Sequence, residues 1–107
     1  MKTLKFRENL CRLILSGQKT TTWRLFDDKD LSIGDIISCL VWETLEEFAK
    51  IKIISLKNTT FEKLTKEDWT GHEKFSTKEE MYHTYTKYYK REVTPKSPVK
   101  ILKFKLE

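Results

Sequence analysis

The chain has 107 residues, 35% of them charged, with 21 Lys or Arg against 16 Asp or Glu and a formal charge of +5. That length suits one domain over residues 1–107 with a modest core and excludes two. No apolar run nears the ~20 residues of a membrane span, and Met1-Lys2-Thr3-Leu4-Lys5-Phe6 lacks a secretory signal's apolar centre, so a cytoplasmic protein with no membrane partner is expected.

The charge excess favours phosphate-bearing or polyanionic partners without demanding nucleic acid. Many lysines alternate with apolar residues, as at Lys50 and Lys52 or Lys103 and Lys105, the pattern of solvated strand faces. Cys11 and Cys39 sit inside apolar runs and read as buried free thiols. With two histidines and no CxxC or HxxxH spacing, neither a metal nor a cofactor is called for.

Leu4 to Phe6 predicts a short first strand. Leu10, Cys11, Leu13 and Ile14 repeat at helical spacing, giving a helix from about Arg7 to Ser16 that Gly17 ends. Next comes Gly17-Gln18-Lys19-Thr20-Thr21-Thr22-Trp23-Arg24. Its plain reading is a solvated edge strand, since Thr and Trp favour strands. Hydroxyls flanked by two cations also suit an anionic or carbonyl-bearing ligand, and Trp23 offers a flat surface for a base. A polar connector, Leu25 to Ser32, leads to the Gly34-Asp35 turn. Ile36 to Trp42 is a near-continuous apolar strand, which predicts burial on both faces, and Phe48 to Leu56 returns antiparallel to it. Thr59-Thr60-Phe61-Glu62 suggests a capped helical turn starting near Thr60, with Thr65-Lys66-Glu67-Asp68 a weaker second start. Ser76 or Thr77 caps a further helix whose Met81, Tyr85, Tyr88 and Tyr89 share one face, read as core. Pro95 and Pro98 mark a linker before a closing strand, Val99 to Leu106. The order predicts an α+β domain around a mainly antiparallel sheet or barrel.

Gly17-x-Lys19-Thr20-x-Thr22-x-Arg24 after a helix, Ile33-Gly34-Asp35-Ile36 opening a buried strand, Phe61-Glu62-Lys63-Leu64 and Glu73-Lys74-Phe75-Ser76 together resemble the ASCH domain. The resemblance covers nearly the whole chain. It implies a PUA-like small β-barrel with flanking helices and RNA-related functions. Within the family the chain is similar to small bacterial N(4)-acetylcytidine amidohydrolases, which use a lysine, a threonine three residues later, and a glutamate before the last helix. The first two fall on Lys19 and Thr22. The third falls on Glu73 with one residue inserted and on His72 without it, and Glu73-Lys74-Phe75 keeps the local pattern.

Amide hydrolysis needs a nucleophile, a base and an oxyanion donor. The resemblance therefore implies Thr22 as nucleophile or water-positioning group, Lys19 as base and Glu73 as orienting acid. Arg24, Trp23 and Thr20 would bind a small-molecule nucleoside. In a regular strand Lys19 and Thr22 point to opposite faces, so the chain must bend after Gly17. The alternatives are a non-catalytic RNA-binding module and a metal-independent ribonuclease. Asp27, Asp28 and Asp30, expected near the pocket rim, tilt the reading toward a nucleoside.

Overall fold

A computed structural model describes residues 1–26 and 29–107; Asp27 and Asp28, expected near the rim, lie outside them. Five strands form one sheet: β1 (Thr3–Phe6), β2 (Thr21–Arg24), β3 (Ile36–Val41), β4 (Glu47–Thr60) and β5 (Pro98–Leu106). Three α-helices accompany it: α1 (Glu8–Leu15), α2 (Lys66–Trp69) and α3 (Lys78–Tyr89), with a 3-10 turn at Phe61–Lys63. The strand order is β1-β3-β4-β5-β2. Only the β1–β3 pair is parallel; the other three are antiparallel. The result is an α+β half-barrel of the PUA-like kind. Among the described residues no helix is long and apolar enough to cross a membrane.

β4 lets the sheet curl. Its first half pairs with β3, while Ile51 to Thr60 pair with β5, and the register shifts between Ile53 and Ser55. Such an irregularity bends a strand and increases its twist. The expected strand ended at Leu56; it runs on through Lys57-Asn58-Thr59-Thr60 because β5 supplies a partner out to Pro98. The curl brings the two edge strands, β1 and β2, to face each other across an open seam, where the Arg24 Nη2 donates to the Lys5 carbonyl at 3.0 Å.

Two apolar clusters fill the fold. One is largely aliphatic: Leu4, Cys11, Ile14, Leu31, Ile37, Cys39, Ile51, Ile53 and Leu102, with Phe6 and Phe104. The other is largely aromatic: Trp23, Phe61 and Tyr85, with Leu25, Met81, Val93, Val99 and Ile101. β5 serves both, sending Val99 and Ile101 one way and Leu102 and Phe104 the other, as two-residue alternation requires. The connector expected to be polar carries Leu25 and Leu31, each a core anchor. Both cysteines are buried free thiols, and burial pushes Cys39 up to about 12.

The local signals explain most element ends. Gly17 leaves α1 at φ +83°, and Gly34 turns at φ +94° while the Asp35 carboxylate accepts from the Ser32 N–H at 2.9 Å. Thr77 caps α3 by accepting from the Glu80 N–H at 3.0 Å. The capping box belongs to Thr65 and Asp68, not to Thr60, whose hydroxyl is buried without a partner. Asp68 wins because it also receives the Lys57 ammonium at 3.0 Å, a tertiary contact that fixes its carboxylate.

Candidate active site

α1 and the loop after α2 together place the first functional side chain. The Lys19 N–H reaches back to the Leu13 carbonyl at 3.0 Å, so Lys19 is held at the end of α1 and precedes β2, which begins at Thr21. The strand-parity objection therefore does not apply to Lys19 and Thr22. Thr22 and Arg24 lie two apart on β2 and both reach one cavity.

The opposite wall is fastened to β2 by backbone. The Gly71 carbonyl accepts from the N–H groups of Thr20 and Thr21 at 2.9 and 3.1 Å. The Thr21 hydroxyl donates to the Thr70 carbonyl at 2.7 Å, and the Trp23 indole donates to the Asp68 carbonyl at 3.2 Å. Gly71 sits at φ +78°, and a Cβ there would lie 2.1 Å from Thr20 Oγ1, so no other residue fits without displacement. The two residues that follow, His72 and Glu73, are thereby set beside Lys19.

The Lys19 side chain is 2% exposed. Its Nζ donates to Glu73 Oε1 at 2.6 Å and to the Thr21 carbonyl at 2.7 Å. Burial pushes the Lys19 ammonium below its ordinary pKa; the Glu73 carboxylate opposes this, and the Arg24 charge adds to it. Burial alone would raise Glu73, but the Lys19 charge, His72 and the hydrogen bond hold its carboxyl low. His72 lies stacked on Trp23, ring centroids 3.8 Å apart. Burial, aided by the charge of Lys19, lowers its pKa to about 4, so the ring is neutral near pH 7. Its partners fix the tautomer. Nδ1–H faces the Glu73 carbonyl at 2.7 Å and Oε1 at 3.2 Å, and Nε2 accepts from the Tyr85 hydroxyl at 3.2 Å. Burial also raises Tyr85 well above the usual phenol range, so it remains a donor.

The cavity occupies the seam and spans about 600 Å³ of empty space with its open mouth included. Its walls are Lys5, Phe6, Arg7 and Leu10 on one side, Thr22, Trp23 and Arg24 on another, and Trp42, His72, Glu73, Tyr85, Tyr88 and Tyr89 around the rest. Of the sequence-derived candidates, Thr22, Glu73, Arg24 and Trp23 line it, and Lys19 is tied to it through Glu73. Thr20 is exposed outside the wall and contacts Gly71 instead. Trp23, 2% exposed, is inner wall rather than a lid over a base. Asp30 is exposed and not part of the lining, so it gives the rim no acidic character. The sequence offered His72 only as the alternative to Glu73 and Tyr85 only as core, and it gave Lys5, Arg7 and Trp42 no part in a site. The one local signal was the cation–aromatic–cation run Lys5-Phe6-Arg7, whose meaning depends on parallel pairing with β3.

Fold and site together define a small α+β half-barrel with a buried lysine–glutamate pair opening into its seam. A model of the ASCH domain matches residues 2–107, and the chain belongs to the ASCH domain family. Among solved structures it is similar to a protein from Enterococcus faecalis V583 (TM-score 0.77, 17% identity, 100% of this chain and 76% of that one). It is likewise similar to hypothetical protein PH0355 (TM-score 0.74, 26% identity, all of both chains) and to an ASCH domain from Lactobacillus crispatus JV V101 (TM-score 0.69, 14% identity, 98% and 79%). No curated protein matches the chain.

Proposed function

We propose that the protein is a metal-independent amidohydrolase acting on the acyl amide of N(4)-acetylcytidine and related N(4)-acylated cytosine nucleosides, releasing cytidine and a carboxylic acid. The observation that carries this reading is the buried Lys19 paired with the half-buried Glu73, 2.6 Å apart, at a cavity whose wall also holds Thr22 and Arg24.

The chemistry follows from the donors and acceptors. A neutral Lys19 amine keeps its two donations, to Glu73 and the Thr21 carbonyl, and has one lone pair left for a hydroxyl proton. Burial favours that neutral form. Thr22 Oγ attacks the acyl carbonyl carbon as its proton passes to Lys19 Nζ. The carbonyl oxygen takes up the negative charge beside Arg24, which lines the same cavity. Collapse expels the cytosine amine, protonated from the Lys19–Glu73 pair. Water then cleaves the acyl-threonine, with Lys19 again taking the proton.

Non-catalytic RNA binding is the second reading, favoured by the cations Lys5, Arg7 and Arg24 in the wall. Against a long polyanion, several lysines are engaged with acids: Lys2 with Asp35 at 2.8 Å, Lys50 with Glu47 at 3.2 Å, Lys57 with Asp68 at 3.0 Å. Incubation of the purified protein with N(4)-acetylcytidine should yield cytidine, and Thr22→Val should lower kcat by about a thousandfold. Cytidine formation by Thr22→Val at the parental rate removes the threonine from the mechanism. No turnover, with salt-sensitive RNA binding, selects the second reading.

A further inference from the structure

The mouth of the cavity carries cations that the hydrolytic chemistry does not use. The Arg7 guanidinium lies between two exposed rings, 4.5 Å from the Trp42 centroid and 5.3 Å from that of Tyr88. The Lys5 ammonium lies 5.4 Å from the same Trp42 ring. Among the described residues neither Lys5, Arg7 nor Arg24 forms a salt bridge with a carboxylate, although 16 acids are present in the chain. Glu73, the one acid in the lining, already faces Lys19. The acids following each side of the mouth are turned elsewhere: Glu43 accepts from the Glu8 N–H at 3.1 Å, and Glu8 lies 3.6 Å from Arg12.

Three cations on one concave wall, none in a salt bridge with a carboxylate among the described residues, concentrate positive potential where a ligand enters. Ring faces on two sides hold Arg7 in place, so less side-chain freedom is lost when it engages an anion. Trp42 and Tyr88 are 45% and 41% exposed, large apolar surfaces left uncovered at the same opening. A neutral nucleoside would leave the charges of Lys5 and Arg7 unused. Since Lys2, Lys50 and Lys57 are paired with acids, the charge at the mouth suits a single phosphate group rather than a long strand.

We propose, on the basis of the cytidine reading above, that the mouth formed by Lys5, Arg7, Trp42 and Tyr88 is a phosphate subsite, and that the ligand is a phosphorylated cytidine, a nucleoside monophosphate. Calorimetric titration at low salt with cytidine, cytidine 5′-monophosphate, cytidine 3′-monophosphate and tetracytidylate reads this directly, whether or not any amide is cleaved. One monophosphate should bind at least tenfold tighter than cytidine, an advantage that shrinks as salt is added. Arg7→Gln and Lys5→Gln should each pull the monophosphate-to-cytidine ratio toward one, with circular dichroism confirming a folded chain. Equal binding of cytidine and both monophosphates, or a ratio untouched by both variants, overturns the subsite. Tetracytidylate binding more than tenfold tighter than either monophosphate overturns the mononucleotide claim in favour of RNA. Phosphate-dependent binding without turnover of the N(4)-acetyl forms defeats the hydrolase reading alone; turnover of the nucleoside with no gain from a phosphate defeats this one alone.

Discussion

The two cores of this small fold do different jobs, although one strand, β5, feeds both. The aliphatic core contains Leu, Ile and Cys side chains that ask for nothing but exclusion of water. The aromatic core borders polar side chains that are themselves buried: Lys19 and His72, with the Tyr85 hydroxyl. Buried polar groups are costly unless partnered, and here each has partners at 2.6–3.2 Å. Aromatic residues suit that neighbourhood because a ring can fill space while its edge still donates, as Trp23 does to Asp68 and Tyr85 to His72. The aliphatic core only excludes water; the aromatic one also borders the Lys19–Glu73 pair and the ring that stacks beside it.

Substitutions can separate the two. Ile53→Ala, in the aliphatic core at 0% exposure, should cost roughly 4 kcal/mol of unfolding free energy, measured by urea titration. Turnover per folded molecule should not change, and a selective loss of activity would break the division of labour. Acid should strike the aromatic side first. His72 is about 4 in the folded state against 6.5 for the free side chain, so the unfolded chain binds the extra proton. Its stabilising contribution is complete above pH 6.5 and is lost as pH falls toward 4, about 3 kcal/mol in all. Melting temperature should therefore drop between pH 6.5 and 5, before the carboxylates titrate, and His72→Gln should flatten that interval. Gly71→Ala is the smallest of the three, about 2 kcal/mol from the left-handed backbone and the clash with Thr20. It should lower turnover as well, because the same loop carries Glu73; unaltered turnover would show that the loop's position matters little.

Local chemistry was easily read from the sequence. The glycine ending α1, the Gly34-Asp35 turn, the β3–β4 hairpin and the Thr77 cap each depend on a few adjacent residues, and each stands where expected. The ASCH resemblance brought Lys19, Thr22 and Glu73 together on paper, and the fold brings Lys19 and Glu73 into contact. What escaped was set by partners far along the chain. Lys57 to Thr60 look like loop until β5 pairs with them. By its sequence Thr60 is the stronger cap and Thr65 the weaker, and Lys57 reaching Asp68 reverses that order. The mouth was illegible for the same reason. Arg7 meets Trp42 because β1 runs parallel to β3, with Phe6 opposite Val41, and nothing near either residue announces that pairing.

The open seam has a consequence for how such a protein can change. Much of the cavity lining, from Lys5 through Leu10 to Arg24, comes from the two edge strands and the helix between them, a single early stretch of chain. Glu73, which pairs with Lys19, and the Asp68 and Tyr85 groups that bond Trp23 and His72 come from a separate later stretch. Selection can swap a cation or a ring at the rim, at Lys5, Arg7, Trp42 or Tyr88, while the backbone bonds that set Glu73 beside Lys19 stay as they are.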